Sequence, residues 1–283
     1  MISIKSYAKI NIGLNVLGKK ENGYHELDSV VLPIELHDSI IVNKIKNGVE
    51  TYVTVDDFSQ GSIHYNIASF AIDRLTSLYK VDTKFTVFIH KVIPMQAGLG
   101  GGSSNAIAAM KAVSKSLKLN VPNETYYDIG KSLGADCPFF VKCKPSRMKG
   151  IGEILEPINV KDNYFVLIVK PHEGLSTKAV FDKFDEVVDV KTGNMDDIVK
   201  ALETGDEDLL AASIYNALEE PACELLPEIR KIIELLKSFG LKIVGMTGSG
   251  SSVYALSKDK KTLKKIADEL EDTYTVKLTR VLK

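Results

Sequence analysis

A glycine-rich stretch between a strand pattern and a helix pattern constrains the fold of this chain more than any other feature. The stretch reads PMQAGLGGGSSNA at residues 94–106 and holds four glycines and two serines. It follows KFTVFIHKVI at 84–93, which is typical of a strand, and leads into SSNAIAAMKAVSKSLK, which predicts a helix with a serine as N-cap. Such a junction directs unpaired N–H groups and the positive end of a helix dipole to one point.

Two interpretations of this junction are possible. It is either a tight turn before a serine-capped helix, or an anion site at which glycines let the backbone approach a phosphate. In the second case Ser103 and Ser104 add hydroxyl donors or help to hold a metal. The number of glycines and serines favours the anion site. The stretch is not a Walker A loop, and Ser103 stands where a dinucleotide fingerprint needs its third glycine.

The order of strand and helix patterns predicts mixed α+β layers. From Ile2 to Val16, seven of the eight even-numbered residues are apolar, which indicates a long strand, or a bent pair of strands, with one buried face. Lys9 and Asn11 then project together from the opposite face. The segment GADCPFF at 134–140 is expected to enter another apolar strand. A chain of 283 residues exceeds most single cores, and we predict two domains, 1–157 and 158–283.

Composition and charge exclude several classes of protein. The net charge is −1 and no segment is strongly basic, which argues against nucleic acid as a partner. Apolar runs such as FVLIV are far too short to span a membrane. The three cysteines show no metal-ligand spacing. We expect a cytoplasmic protein with small-molecule partners, no nucleic-acid or membrane partner, and a monomeric or weakly dimeric state. The sequence does not settle which residues would bind a metal, since the two serines of the glycine stretch also suit a role as hydroxyl donors.

Separated segments of the chain resemble the GHMP small-molecule kinases. They are SYAKINIGLNVLGKKENGYHEL at 6–27, the glycine stretch, LGADCPFF at 133–140 and GMTGSGSSVYAL at 245–256. The resemblance implies a two-domain fold with the active site in the cleft between an ATP-binding and a substrate-side domain. It also implies ATP as co-substrate, with Mg²⁺ bridging its phosphates.

The first segment and LGADCPFF narrow the resemblance to the branch of the family whose acceptor is a cytidine diphosphate conjugate of methylerythritol. It implies ATP-dependent phosphorylation of the 2-hydroxyl of that acceptor, in non-mevalonate isoprenoid synthesis. Other acceptors, such as homoserine, mevalonate or a sugar, and a non-catalytic metabolite sensor on the same fold stay open. The GYHEL segment favours the cytidine conjugate, because the other acceptors have no base to bind.

The catalytic pair that the resemblance implies is Lys9 in AKIN and Asp136 in GADCPFF. The chemistry calls for such a pair, since a carboxylate orients the acceptor hydroxyl and takes its proton, while an ammonium stabilises the transferring group. Each residue also has a simpler interpretation. A lysine on the polar face of a strand is usually solvated, and the aspartate could close a turn.

The other candidate residues follow from the same resemblance. Tyr24 is expected to stack on the cytosine, His25 to hydrogen-bond it, and Phe181 to lie on its other side. Without the resemblance, Tyr24 and His25 would be an ordinary hairpin, and TGSGSS at 247–252 a glycine hairpin. Substrate contacts are expected from Asn11, Tyr24, His25, Thr177, Phe181, Gly248 and Ser249. ATP contacts are expected from Asn66 and Lys91 near the adenine and from Pro94, Met95, Gln96, Ala97, Gly98, Leu99, Gly100, Gly101, Gly102, Ser103 and Ser104.

Overall fold

The chain forms two compact units. A computed structural model describes residues 1–21, 23–45, 50–56 and 67–283. The first unit combines Met1–Ala8, His37–Ile93 and Gly100–Cys143, and the second combines Lys9–Leu36, Pro94–Leu99 and Lys144–Lys283. The domain boundary proposed from the sequence at residue 157 stays a prediction. No helix within the described ranges is long and apolar enough to cross a membrane.

Two long strands open the chain, and each contributes to both units. Strand β1 spans Ile2–Lys19 and β2 spans His25–Ile45. The predicted strand is confirmed, but the expectation of one buried face is wrong, since Lys9 and Asn11 are only 3% and 2% exposed. Helix α6, Met195–Thr204, covers part of the second face, because a Cβ added at Gly13 would lie 2.4 Å from the Ile198 side chain.

Within the described residues, the first unit combines β3 and β4 with parts of β1 and β2, and it packs helices α1 to α4. Strand β4 pairs antiparallel with β2 and parallel with β3. Helices α1 and α2 pack together, and alanines such as Ala68 and Ala109 are buried in them. The bounds are β3 Tyr52–Asp56, α1 Ile67–Leu78, β4 Lys84–His90, α2 Gly101–Leu117, α3 Asn123–Lys131 and α4 Cys137–Lys142.

Helix α4 corrects the expectation that GADCPFF enters a strand. Pro138 lies at the start of this helix, where its missing N–H costs no hydrogen bond. Phe139 and Phe140 are both buried. A short apolar run has no decisive period, so the sequence alone does not separate a strand from a helix here.

The second unit is built on a four-stranded antiparallel sheet with the order β11-β7-β10-β9. Side chains of α9 and α10, such as Ile232 and Leu263, belong to the core cluster against this sheet. Strands β5 and β6 extend β2, and β8 pairs in parallel with β1. The bounds are β5 Ser146–Gly150, β6 Ile154–Pro157, β7 Phe165–Lys170, α5 Thr177–Phe184, α7 Glu207–Ser213, β8 Tyr215–Asn216, α8 Glu219–Leu225, α9 Glu228–Ser238, β9 Ile243–Met246, β10 Val253–Ser257, α10 Lys260–Leu270 and β11 Thr275–Arg280.

Candidate functional site

The start of helix α2 carries the last part of the glycine stretch, from Gly100 onward, in the first unit. Gly100 is the N-cap in a left-handed conformation with φ 69°, and no side chain caps the helix. The predicted serine cap is therefore wrong, and Ser103 and Ser104 lie in the first helical turn. The N–H groups of the first three helical residues have no acceptor within the helix. They remain at the positive end of the helix dipole, as an anion site requires.

An ion pair lies beside this turn. Asp38 is fully buried and accepts hydrogen bonds from the N–H groups of Val92 at 2.7 Å and Ile93 at 2.8 Å. It also accepts a hydrogen bond from Lys91 Nζ at 2.5 Å. A Cβ added at Gly101 would lie 3.2 Å from Lys91 Nζ. Asp38 therefore holds the Lys91 ammonium against the first turn of α2.

The two serines of the turn have different surroundings. Ser6 Oγ lies 2.7 Å from both Ser104 Oγ and Asn105 Oδ1, and all three residues are buried. Ser103 is half-buried. Burial raises the pKa of the Cys137 thiol to about 11, and a hydrogen bond with the Ser103 side chain opposes that rise. Ser104 therefore has an internal partner, while Ser103 links the turn to the segment that begins α4.

Asp136 occupies the N-cap position of α4 and is half-buried. A Cβ added at Gly134 would lie 3.8 Å from both Ser103 Oγ and Cys137 Sγ. The loop that carries Asp136 thus packs beside the first turn of α2 within the first unit. A turn-closing aspartate is the simpler interpretation, but the Asp136 side chain makes no capping hydrogen bond to α4.

The second unit holds Lys9 in a buried polar cluster. Lys9 Nζ donates a hydrogen bond to Asn11 Oδ1 at 2.6 Å. Asn11 Nδ2 donates to Ser29 Oγ at 2.8 Å, and Ser29 Oγ donates to the Gly13 carbonyl at 2.6 Å. The cluster fixes which way the Asn11 carboxamide points and directs the ammonium. Burial excludes the interpretation of Lys9 as a solvated surface lysine.

Two glycine-containing segments pack against each other beside this cluster. Gly98 has φ 69°, and a Cβ added there would lie 2.1 Å from the Thr247 carbonyl oxygen. A Cβ added at Gly248 would lie 3.4 Å from Lys9 Nζ. Thr247 Oγ1 accepts the Asn11 N–H at 3.0 Å. Segment 247–252 is therefore more than a plain glycine hairpin, because it contacts both the Lys9 cluster and Gly98.

Asn216 supports the same loop from β8. Its Nδ2 donates to the carbonyl oxygens of Met246 and Gly248, both at 2.9 Å. Ser249 Oγ lies 3.0 Å from Thr177 Oγ1 at the start of α5. Two of the predicted substrate residues, Thr177 and Ser249, are thereby in direct contact.

An aromatic cluster forms where β2 begins. The His25 ring stacks on Phe181 with ring centroids 4.7 Å apart and an interplanar angle of 27°. His25 Nε2 lies 2.6 Å from Asp185 Oδ1, and Lys19 Nζ pairs with the other carboxylate oxygen. Hydrogen bonds from Lys19 and His25 hold the pKa of Asp185 below its usual value. Tyr24 is 55% exposed. Of the three residues predicted to contact the base, His25 and Phe181 therefore stack on each other, whereas the Tyr24 ring is largely exposed.

Comparison with known proteins identifies the family. Models described as the GHMP kinases N-terminal domain and GHMP kinases C terminal match residues 65–144 and 198–276. A 4-diphosphocytidyl-2-C-methyl-D-erythritol kinase from Clostridium acetobutylicum is 32% identical over 282 residues, which cover 99% of this chain and 100% of the relative. The chain belongs to the GHMP kinase family.

Solved structures agree with this assignment. A crystal structure of 4-(cytidine 5'-diphospho)-2C-methyl-D-erythritol kinase has a TM-score of 0.83 and 26% identity, over 100% of both chains. A homoserine kinase from Cytophaga hutchinsonii has a TM-score of 0.75 and 16% identity, over 100% of this chain and 95% of the other. At that identity the homoserine kinase shows the fold alone. The predicted α+β GHMP kinase fold is confirmed.

The remaining predicted residues of this GHMP kinase lie around the glycine stretch. Ala97 and Leu99 are buried, so their side chains contribute packing, and Leu99 accepts the Lys9 N–H at 3.0 Å through its carbonyl oxygen. Gln96 has φ 50°, and its carbonyl oxygen accepts the Ser251 N–H at 3.4 Å. Pro94 is half-buried, while Met95 and Gly102 are exposed. Asn66 lies outside the described residues.

Sequence reasoning missed four residues that organise the site of the kinase. They have in common a polar side chain within or next to an apolar strand or helix pattern, and that interruption was the available signal. Their partners lie far away in sequence, so only the fold reveals the contacts. They are Ser6, Ser29, Asp38 and Asp185.

Proposed function

We propose that this GHMP kinase transfers the γ-phosphoryl group of ATP to the 2-hydroxyl of 4-diphosphocytidyl-2-C-methyl-D-erythritol. The observation that carries the proposal is the similarity to the C. acetobutylicum kinase of that name, which extends over 99% of the chain. The contacts His25–Phe181 and Thr177–Ser249 support it, because flat rings and hydroxyls suit a nucleobase and a polyol. A role in non-mevalonate isoprenoid synthesis, a cytoplasmic location and a monomeric or weakly dimeric state are parts of this proposal.

The start of α2 is proposed to bind the ATP phosphates. Gly100 leaves the first N–H groups of the helix without a side-chain cap, and they suit phosphate oxygens. Lys91 adds a positive charge beside Gly101. That position favours a contact near the phosphates over the expected contact at the adenine.

Mg²⁺ belongs to this proposal as the partner of ATP. Across the described part of the chain, no group of three or more His, Cys, Asp or Glu side chains is placed to hold a metal ion. This pattern fits Mg²⁺, which is commonly bound by substrate phosphates, water and one or two protein oxygens. The Ser103 hydroxyl, in the first turn of α2, would supply such an oxygen. When bound, Mg²⁺ neutralises charge on the phosphates.

Asp136 and Lys9 are proposed as the residues of the chemical step. The Asp136 carboxylate orients the acceptor hydroxyl and takes its proton as the oxygen attacks phosphorus. The Lys9 ammonium, directed by Asn11, stabilises negative charge on the transferring group. Its burial supports this role, because a charge in a region of low dielectric acts more strongly than one in water.

The test is ADP release from ATP and Mg²⁺ with four acceptors: 4-diphosphocytidyl-2-C-methyl-D-erythritol, homoserine, mevalonate and galactose. We expect turnover with the cytidine compound alone. Turnover with another acceptor would keep the family and overturn the substrate. Absence of turnover with all four, combined with ATP binding in a thermal-shift assay, would favour a metabolite sensor.

A further inference from the structure

Asp185 contacts His25 at the end of α5 without belonging to the predicted site. It is the C-cap residue of that helix, and its side chain is 29% exposed. Oδ1 lies 2.6 Å from His25 Nε2, while Oδ2 pairs with Lys19 Nζ. Each carboxylate oxygen therefore has a separate partner.

The chemistry of this contact determines where the imidazole carries its hydrogen. Hydrogen bonds from Lys19 and His25 lower the pKa of Asp185, so the group is a carboxylate at neutral pH. A carboxylate only accepts hydrogen bonds, and His25 Nε2 must therefore be the donor. In a neutral imidazole whose hydrogen is on Nε2, the lone pair is on Nδ1.

The ring is also held in one orientation. Its face stacks on Phe181, and it meets Phe184 edge-on with ring centroids 6.2 Å apart and an interplanar angle of 86°. Only 9% of the His25 side chain is exposed. With both tautomer and orientation set, Nδ1 presents an acceptor in a fixed direction.

We propose that Asp185 is a positioning residue that sets the base specificity of this kinase through His25. It keeps the hydrogen on Nε2, so that Nδ1 accepts a hydrogen bond from the amino group of cytosine. Uracil carries a carbonyl oxygen in place of that amino group, and two acceptors would then face each other. The inference rests on the proposed function, since it takes His25 to be the residue that contacts the base.

The tautomer is measured by ¹⁵N NMR of the imidazole nitrogens in the full-length protein, without substrate. The signal of His25 among the five histidines is assigned with the variant His25→Gln. We expect the Nε2–H tautomer in the wild type and a mixture of tautomers in Asp185→Asn. The matched control is Asp182→Asn, which removes a carboxylate of the same helix that pairs with Lys178 at 2.6 Å. It should leave the His25 signals unchanged.

Specificity is measured as the ratio of the affinities for cytidine 5'-diphosphate and uridine 5'-diphosphate by calorimetry. The wild type should prefer the cytidine compound, and Asp185→Asn should reduce this preference about tenfold. Asp185→Glu keeps a carboxylate and should restore part of the preference. ATP affinity should stay the same in every variant, and Asp182→Asn should keep the wild-type ratio.

Several results would overturn the inference. They are an Nδ1–H tautomer in the wild type, equal affinity of the wild type for the two diphosphates, or a preference that Asp185→Asn leaves intact. The acceptor assay is separate from these measurements. If the kinase phosphorylates another acceptor, the proposed function fails. The His25 tautomer and the ratio of the affinities for the two diphosphates still test the role of Asp185 directly.

Discussion

Two regions of the second unit present candidate ligand-binding groups in different ways. Around Gly98 and Thr247 the geometry comes from backbone packed against backbone, with no space for a Cβ at Gly98. Around His25 it comes from side chains, namely a stacked ring and a carboxylate, with Tyr24 largely exposed nearby. Around Gly98 and Thr247, almost any substitution should disturb the backbone packing. Around His25, each substitution should remove one contact and leave the fold intact.

Gly98→Ala should have the largest effect. The new Cβ would lie 2.1 Å from the Thr247 carbonyl oxygen at a residue with positive φ, so the two loops must separate. We expect loss of measurable activity and a decrease of about 3 kcal/mol in the free energy of unfolding, measured by denaturant titration. The control is Gly18→Ala, because a Cβ at Gly18 meets nothing within 4 Å. Equal behaviour of the two variants would contradict the proposed rigidity of this region.

Asp136→Asn separates the chemical step from binding of ATP. The amide is almost the same size but takes no proton, so kcat should fall about 10²- to 10⁴-fold while the affinity for ATP persists. Steady-state kinetics and calorimetry with ATP measure the two effects. Asp128→Asn on α3 is the exposed control in the same unit. A wild-type kcat in Asp136→Asn would exclude the proposed proton acceptor.

Asn11→Ala tests the buried cluster beside the glycine loops. Loss of the Asn11 carboxamide would remove its hydrogen bonds with Lys9 Nζ and Ser29 Oγ. This should lower the free energy of unfolding by about 1–3 kcal/mol and reduce kcat. Asn15→Ala is a close control, because Asn15 lies on the same strand and is buried with two hydrogen bonds to Gly193. Both variants should lose stability, but only Asn11→Ala should lose kcat. A similar kcat in both would make the cluster purely structural.

Tyr24→Ala should have the smallest effect on the folded protein. The ring is 55% exposed, so its removal should leave the melting temperature nearly unchanged. Loss of stacking on a base should raise KM for the cytidine substrate about tenfold, with KM for ATP unchanged. Equal increases in both KM values would show that Tyr24 does not distinguish the two substrates.

The sequence predicted several helices and strands correctly. It was wrong about the short segment GADCPFF and about the residue that caps α2. The strand expected at 84–93 and the helix expected after the glycine stretch are present as β4 and α2. GADCPFF was assigned to a strand because seven residues show no clear period. The serine cap failed because the left-handed Gly100 takes the N-cap position.

The sequence by itself determined the family, the α+β class and the chemical types of the candidate residues. Glycine spacing and strand periodicity depend only on residues that are close together in the chain, so they can be recognised in the sequence alone. Only the tertiary structure decided that Lys9 is buried on Asn11, that Gly98 has no space for a Cβ beside Thr247, and that Asp185 holds His25. Each of these contacts except the first joins residues more than a hundred positions apart. Burial of Lys9 likewise depends on a distant segment, because Gly248 lies beside its ammonium group.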